Sequence, residues 1–476
     1  MRREFTRRDF LKVASIGTAS AIALSCGMIE TPPPPPTIEP DSVSTDISQA
    51  ARGLRKTDIL VLGAGIAGLA AARTLVDNGL SVIVLEARDR IGGRIWTDSS
   101  LGLPLDLGAS WIHGVDGNPI TRLAKEFGAQ TVVTDEENGV VYNSDGSEMS
   151  DAEYVAVEDL FDSIYEEVAG LQESTDADMP LQQAFDQVIA GVDLSSRELH
   201  NLNHYIHGAF ALELGADPDN LSLWEWDQDE KFGGDEVVFP GGYRQITDGL
   251  AKGLDIRLGE QVTGISYGAD GIQVETSSGM FLADRAIVTF PLGVLKQAGV
   301  KFDPRLPESK QSAIDRLDMG VLNKVYLKFS EIFWDADVET ITYVGEETGE
   351  WCDWLSFVTY VDAPVLLAFH GGAKGYAIEE LSDDEIIVGA MQTLRTIYGL
   401  GIPDPEGYLI TRWGKDPLAF GSYSHVPPFA KGEDYDALFE PVDDVLYFAG
   451  EATSRKYPAT VHGAYLSGVA AAEEIV

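Results

Sequence analysis

Gly63, Gly65 and Gly68 stand in G-x-G-x-x-G spacing, and Glu86 follows 21 residues after Gly65. In a nucleotide cradle each glycine has its own task. The first makes a tight turn, the second lets a pyrophosphate approach the backbone, and the third packs a helix on a strand. An acid at the position of Glu86 accepts hydrogen bonds from adenosine ribose hydroxyls. An ordinary βαβ unit with a glycine-rich turn is the alternative, so the flanking residues decide. Asp58-Ile-Leu-Val-Leu62 is an apolar run of strand length, and Leu69 to Val76 is helix-forming with Gly79 as a C-cap. Ser81 to Leu85 reads as a second buried strand. Strand, turn, helix, strand and acid in register predict a dinucleotide site at the helix N-terminus, where unpaired N–H groups favour phosphate.

Ala87-Arg88-Asp-Arg90-Ile-Gly92-Gly93-Arg94 adds a second glycine pair and further guanidinium groups. Gly-Gly permits close backbone approach, and Arg grips phosphate through parallel hydrogen bonds. This string resembles the extension found in the flavin amine oxidase family. The resemblance implies FAD rather than NAD, an α/β fold with a Rossmann-type FAD-binding domain, and an inserted α+β substrate domain. Arg88 and Arg94 would belong to the cofactor site, with Arg94 on the phosphates.

Further strings carry the same resemblance along residues 56–476, closest to the polyamine oxidase and histone demethylase branch. Gly108-Ala109-Ser110-Trp111-Ile-His113-Gly114 implies a backbone passing close to the flavin and a His facing the substrate amine. A His capped by a backbone carbonyl is the plainer reading of His113. Val262 falls where the family contacts adenine through its backbone. Leu322-Asn-Lys324-Val-Tyr326-Leu-Lys328-Phe329 has strand composition, with Lys324 and Tyr326 on one face. The resemblance assigns Lys324 to a water held against flavin N5, and Lys328 is the surface alternative. Trp413 would flank the flavin, and Tyr423 would wall an aromatic cage that attracts a cation through its ring quadrupole. Glu451 would bind the ribityl chain. The helix start at Thr460 and Val461 would stabilise negative charge on the reduced flavin. Monoamine oxidases carry a covalent flavin on a Cys near the position of Ser422, so noncovalent FAD is expected here. Thr460 stands where many members place the second cage tyrosine, which implies a half-open cage.

These elements must be held by a large chain. Its 476 residues exceed one compact core. The expected layout is a signal at 1–30, a Pro-rich linker at 31–55, FAD-binding segments at 56–130, 236–298 and 421–476, and substrate-domain segments at 131–235 and 299–420. The stretch from Thr131 to about Lys231 reads as acidic and helical. His200, His204 and His207 share one face there, but no Cys or acid completes a metal pattern, so a helix lining a cleft or interface is expected and no metal. Net charge is 34 − 77 = −43, which argues against nucleic acid and anionic membrane surfaces.

Thr6-Arg7-Arg8-Asp9-Phe10-Leu11-Lys12 resembles a twin-arginine signal, which implies passage through the twin-arginine export machinery to the periplasm or another extracytoplasmic site. Val13 to Ser25 is too short to span a membrane. Cys26 loosely resembles a lipoprotein cleavage site, giving a lipid anchor or a simple cleaved signal. Pro32 to Pro36 begins an extended spacer.

The expected reaction is oxidation of an amine, foremost a polyamine, by hydride transfer to FAD. Iminium hydrolysis then gives aldehyde and amine, and O2 is reduced to hydrogen peroxide. Lys324 and His113 are the expected catalytic residues, and His113, Trp413 and Tyr423 the substrate contacts. Glu213, Asp227 and Asp229 are available for distal ammonium groups. The alternatives are a monoamine or L-amino-acid oxidase, with Arg244 or Arg395 on the carboxylate, a carotenoid or porphyrin desaturase, and an exported flavoprotein for binding or electron relay.

Overall fold

A computed structural model describes residues 56–135 and 138–476. The expected signal, spacer and Cys26 lie outside the described residues. Two sheets organise the chain. The first has eight strands, in the order Lys301–Asp303, Val262–Gly268, Gly271–Thr276, Met280–Val288, Lys56–Leu62, Val82–Leu85 and Asp255–Arg257, with Leu446–Phe448 beside the end of Met280–Val288. Its strands at Lys56, Val82, Asp255, Met280 and Leu446 run parallel. Such a sheet needs cover on both faces. Strand alternation supplies it, since Ile59 and Val61 enter one apolar core while Leu60 and Leu62 enter the other.

Helix Ile66–Asp77 and the last helix, Val461–Glu473, pack together over the first of these cores. Small residues set that approach. A Cβ on Gly468 would come within 2.1 Å of the Ala67 carbonyl oxygen, so only glycine fits there.

The second sheet has six strands, in the order Gly407–Ile410, Leu322–Lys328, Val365–Gly371, Asp353–Ser356, Thr340–Val344 and Gly139–Asn143. Val325, Ala368, Trp354 and Ile341 form its buried face, against helix Asp383–Tyr398. The opposite face carries Lys324 and Tyr326.

The stretch read as helical does hold helices, at Asp151–Ser174, Leu181–Ile189 and Ser196–His207. Ser150 with Glu153, and Ser195 with Glu198, close capping boxes at two of their starts. The last runs directly into a π-helical turn at Gly208–Leu212. Strand Gly139–Asn143 interrupts the helical reading, because it pairs in parallel with Thr340–Val344. The second FAD-domain segment also reaches past residue 298. Strand Lys301–Asp303 pairs with Val262–Gly268, and helix Glu308–Arg316 packs Ala313 and Ile314 into the same core. Among the described residues, no helix is long and apolar enough to cross a membrane.

Candidate active site

A cavity of about 1630 Å³ lies between the two sheets. Its wall brings together Gly63, Gly65, Glu86, Arg88, Gly92, Gly93, Arg94, Gly108, Ala109, Ser110, Trp111, His113, Val262, Lys324, Trp413, Tyr423, Glu451, Thr460 and Val461. Gly68 is not on that wall. It lies beneath, where an added Cβ would meet the Gly63 carbonyl oxygen at 2.0 Å, so its task is helix-on-strand packing.

The glycine turn tests whether a dinucleotide fits. Gly65 caps helix Ile66–Asp77 with no side chain over the first turn, and that turn carries no acid. A Cβ on Gly65 would meet nothing within 4 Å. The open face and bare helix start suit a pyrophosphate. Glu86 is buried, accepting from the Ala64 amide at 2.7 Å and the Arg88 amide at 2.9 Å. Those bonds fix the carboxylate between the turn and the end of the second strand. Arg88 is paired with Asp416 at 2.8 Å.

Arg94 and Glu451 both line the cavity and pair with each other. Arg94 Nη1 donates to Glu451 Oε1 at 2.8 Å and to the Ser422 carbonyl at 3.0 Å. Glu451 Oε2 accepts from Ser424 Oγ at 2.6 Å and from the Ala459 amide at 3.1 Å. This pair, of a half-buried arginine and a buried glutamate, ties the first strand–helix unit to the C-terminal segment. Thr460 is the N-cap of the last helix, accepting from the Gly463 amide at 2.9 Å. Its hydroxyl works inside the helix turn, so the cavity has no ring at this position.

Lys324 is 3% exposed. Its Nζ donates to the Asp106 carbonyl at 3.0 Å, the Gly108 carbonyl at 2.7 Å and Ser110 Oγ at 2.6 Å. An ammonium has three donors, and all three are engaged. The rings of Trp111 and Phe369 lie 5.7 and 5.9 Å from Nζ. Burial pushes the Lys324 pKa down to about 8, while the Asp106 charge opposes the shift. Burial likewise raises Asp106 to about 6, opposed by Thr97, the Tyr243 amide and Lys324. Tyr326 reaches the same Asp106 carbonyl at 2.8 Å. Lys328 is not the solvated surface lysine its strand position suggested. It lies on the same face, half-buried, and donates to the Leu101 carbonyl at 2.7 Å.

Trp413 is held at both ends. Its indole donates to the Leu107 carbonyl at 3.0 Å, and its amide to Asn323 Oδ1 at 3.0 Å. Tyr423 donates to the Glu213 carbonyl at 3.0 Å, and burial raises its pKa. His113 is paired with a carboxylate rather than capped by a carbonyl. Its Nδ1 lies 2.8 Å from Glu236 Oε2, and Glu236 Oε1 accepts from the Gly114 amide at 2.9 Å. Asp227 and Asp229 line the cavity with Glu213, and burial raises the pKa of both aspartates.

Sequence reasoning missed Asp106, Glu236 and Asn323, which orient the expected residues from behind. Asp106 is two residues before Gly108, and Asn323 is beside Lys324, so proximity to the motifs was the available signal. His200 and His204 both meet the Gly345 carbonyl, at 2.8 and 3.0 Å. Among the described residues no group of three or more His, Cys, Asp or Glu side chains is placed to hold a metal. Arg395 pairs with Asp404 and Arg244 with Asp248, and neither lines the cavity.

This geometry has known counterparts. The family model for flavin containing amine oxidoreductase matches residues 66–476. Polyamine oxidase 2 of Arabidopsis thaliana is 39% identical over 436 residues, 88% of each chain. Polyamine oxidase 4 of Oryza sativa subsp. japonica is 38% identical over 439 residues, 87% of this chain and 88% of that one. Lysine-specific histone demethylase 1 homolog 2 of Arabidopsis thaliana is 38% identical over 435 residues, though those are only 58% of its length. A solved putrescine oxidase bound to putrescine superposes with a TM-score of 0.73 at 23% identity, covering 88% of this chain and 99% of that one. The chain belongs to the flavin-containing amine oxidoreductase family. It is an FAD-dependent amine oxidase, and the cavity wall supplies the turn, acid and guanidinium groups that suit FAD.

Proposed function

We propose that the amines oxidised are polyamines. The observation that carries this reading is the set of carboxylates on the cavity lining, Glu213, Asp227 and Asp229. The similarity to plant polyamine oxidases supports it. A group of carboxylates favours a substrate with more than one ammonium.

When bound, FAD supplies the redox step, accepting a hydride equivalent from the carbon beside the amine nitrogen and returning the electrons to O2 as hydrogen peroxide. Gly63, Gly65, Glu86, Arg88 and Arg94 would hold it, with Gly92, Gly93, Val262 and Glu451. The positive end of helix Val461–Glu473 favours negative charge at the cavity. His113, oriented by Glu236, would take the ammonium proton so that the reacting nitrogen carries a lone pair. Trp413 and Tyr423 wall the amine, and the ring face of Tyr423 attracts a cation. Lys324 Nζ would exchange one of its three hydrogen bonds for a water and deliver a proton during reoxidation.

We also propose export through the twin-arginine route, with Cys26 as the lipid anchor site. The support is the sequence of residues 1–30, and a protein that folds around FAD before export suits that route.

Hydrogen peroxide release tests the substrate class. Spermine or spermidine should give the highest kcat/KM. Preference for tyramine or an amino acid would overturn the polyamine reading while leaving amine oxidation intact.

A further inference from the structure

Asn323 is buried on the second sheet beside Lys324, and both ends of its side-chain amide are engaged. Its Oδ1 accepts from Thr411 Oγ1 and from the Trp413 amide, both at 3.0 Å. Its Nδ2 donates to the Gly375 carbonyl at 3.0 Å and to Glu379 Oε1 at 2.7 Å. An amide side chain offers two donors and two acceptor positions, so Asn323 is satisfied in this one orientation. Thr411 Oγ1 in turn accepts from the Lys324 amide at 2.8 Å. The backbones of Lys324 and Trp413 are therefore joined through Thr411 and Asn323, and Glu379 stands at the far end of that network.

Glu379 ends helix Gly372–Glu379 and is 4% exposed. Its Oε1 also accepts from the Gly414 amide at 2.7 Å, and its backbone carbonyl accepts from Lys415 Nζ at 2.7 Å. The chain is thus held on both sides of Trp413. The contact is close, since a Cβ on Gly414 would come within 2.9 Å of Glu379 Oε2. Lys324 and Trp413 line the cavity, whereas Asn323, Thr411 and Glu379 lie behind it. We propose that Glu379 is a positioning residue for amine oxidation, acting through Asn323 and the Gly414 amide to fix Lys324 and Trp413 relative to each other. Glu379 Oε1 and the Gly375 carbonyl both take a donor, so they hold the Asn323 N–H groups on their side and leave Oδ1 for Thr411 and Trp413. This rests on the roles given above to Lys324 and Trp413.

The test compares the purified FAD-loaded enzyme with Glu379→Leu, Glu379→Gln and Gly414→Ala. The readouts are turnover of whichever of spermidine, spermine, putrescine and tyramine the wild type oxidises fastest, and visible circular dichroism of the bound flavin, which responds to the groups packed against it. Glu379→Leu removes the acceptor. Its kcat should fall about ten- to one-hundred-fold with KM near wild type, the scale of a small misplacement made away from the chemistry, and its flavin bands should change. Glu379→Gln keeps an acceptor oxygen, so its kcat and flavin bands should stay close to wild type. Gly414→Ala presses on the carboxylate from the loop side and should change both readouts in the same direction as Glu379→Leu. Equal losses in Glu379→Gln and Glu379→Leu, or wild-type readouts in Glu379→Leu, overturn the inference. If Glu379→Leu does not fold, Gly414→Ala decides, and wild-type readouts there overturn it. Near-wild-type turnover in both Lys324→Met and Trp413→Ala instead removes the roles on which it rests.

Discussion

Lys324 Nζ and Ser110 Oγ meet at 2.6 Å across 214 residues of chain. The contact joins the second sheet to the loop after the first strand–helix unit. It leaves the lysine buried, with every donor engaged, on the wall of the cavity. Lys328 is half-buried, makes one bond to the Leu101 carbonyl and does not line the cavity, so the two lysines of this strand should respond differently to substitution.

Lys324→Met keeps the volume and removes the donors. Turnover should fall about ten- to a thousand-fold, the range for losing one positioned acid–base or electrostatic group. Lys328→Met loses its bond to the Leu101 carbonyl, should cost about 1 kcal/mol of stability, and should leave turnover near wild type. Stopped-flow separation of the half-reactions should place the larger Lys324→Met loss in reoxidation. Near-wild-type turnover in both variants would contradict the assignment, and a severe defect in Lys328→Met alone would transfer the role.

The same lysine sets a pH dependence. Its folded pKa is lowered to about 8 from 10.5. Between those values the unfolded chain binds more protons than the folded one, so this residue makes stability rise with pH across that window. Lys324→Met should flatten the rise in thermal melts taken from pH 8 to 10.5. Reoxidation in the wild type should slow above about pH 8, as the ammonium loses its proton, and the variant should lack that limb.

The glycines separate binding from folding. Gly65→Val points into open space, so the apoprotein should fold normally and lose FAD. Gly68→Ala drives a Cβ into the Gly63 carbonyl and should destabilise the fold by about 1–3 kcal/mol. Melting temperature and bound-flavin absorbance measured on both variants check this. Full yellow colour in Gly65→Val would remove the pyrophosphate site from this turn. Glu86→Ala should also weaken FAD retention, and acid precipitation of the wild type should release free FAD.

Export is testable in the native host. Replacing Arg7 and Arg8 by Lys should leave the protein in the cytoplasm. Cys26→Ala should release it from membrane fractions if Cys26 is lipidated. An unprocessed N-terminus on the wild type would remove both proposals.

What was legible in the sequence was local. The glycine tasks follow from backbone geometry within six residues, and the face shared by Lys324 and Tyr326 follows from strand alternation. Their supports were not legible, because the partners are remote in sequence. The Asp106 carboxylate accepts from the Tyr243 amide 137 residues away, and Glu236 reaches the Gly114 amide across 122. Strand Gly139–Asn143 went unseen for the same reason. Its partner strand begins at Thr340, and the helices that follow it dominate the local pattern. Thr460 read as a missing ring, and the helix it caps explains the hydroxyl.

Anaerobic mixing of the yellow protein with spermidine tests amine oxidation most directly. The flavin absorbance should bleach without oxygen and return when air is admitted, with hydrogen peroxide released. A flavin that stays oxidised with spermidine, spermine, putrescine, tyramine and amino acids alike would contradict the assignment.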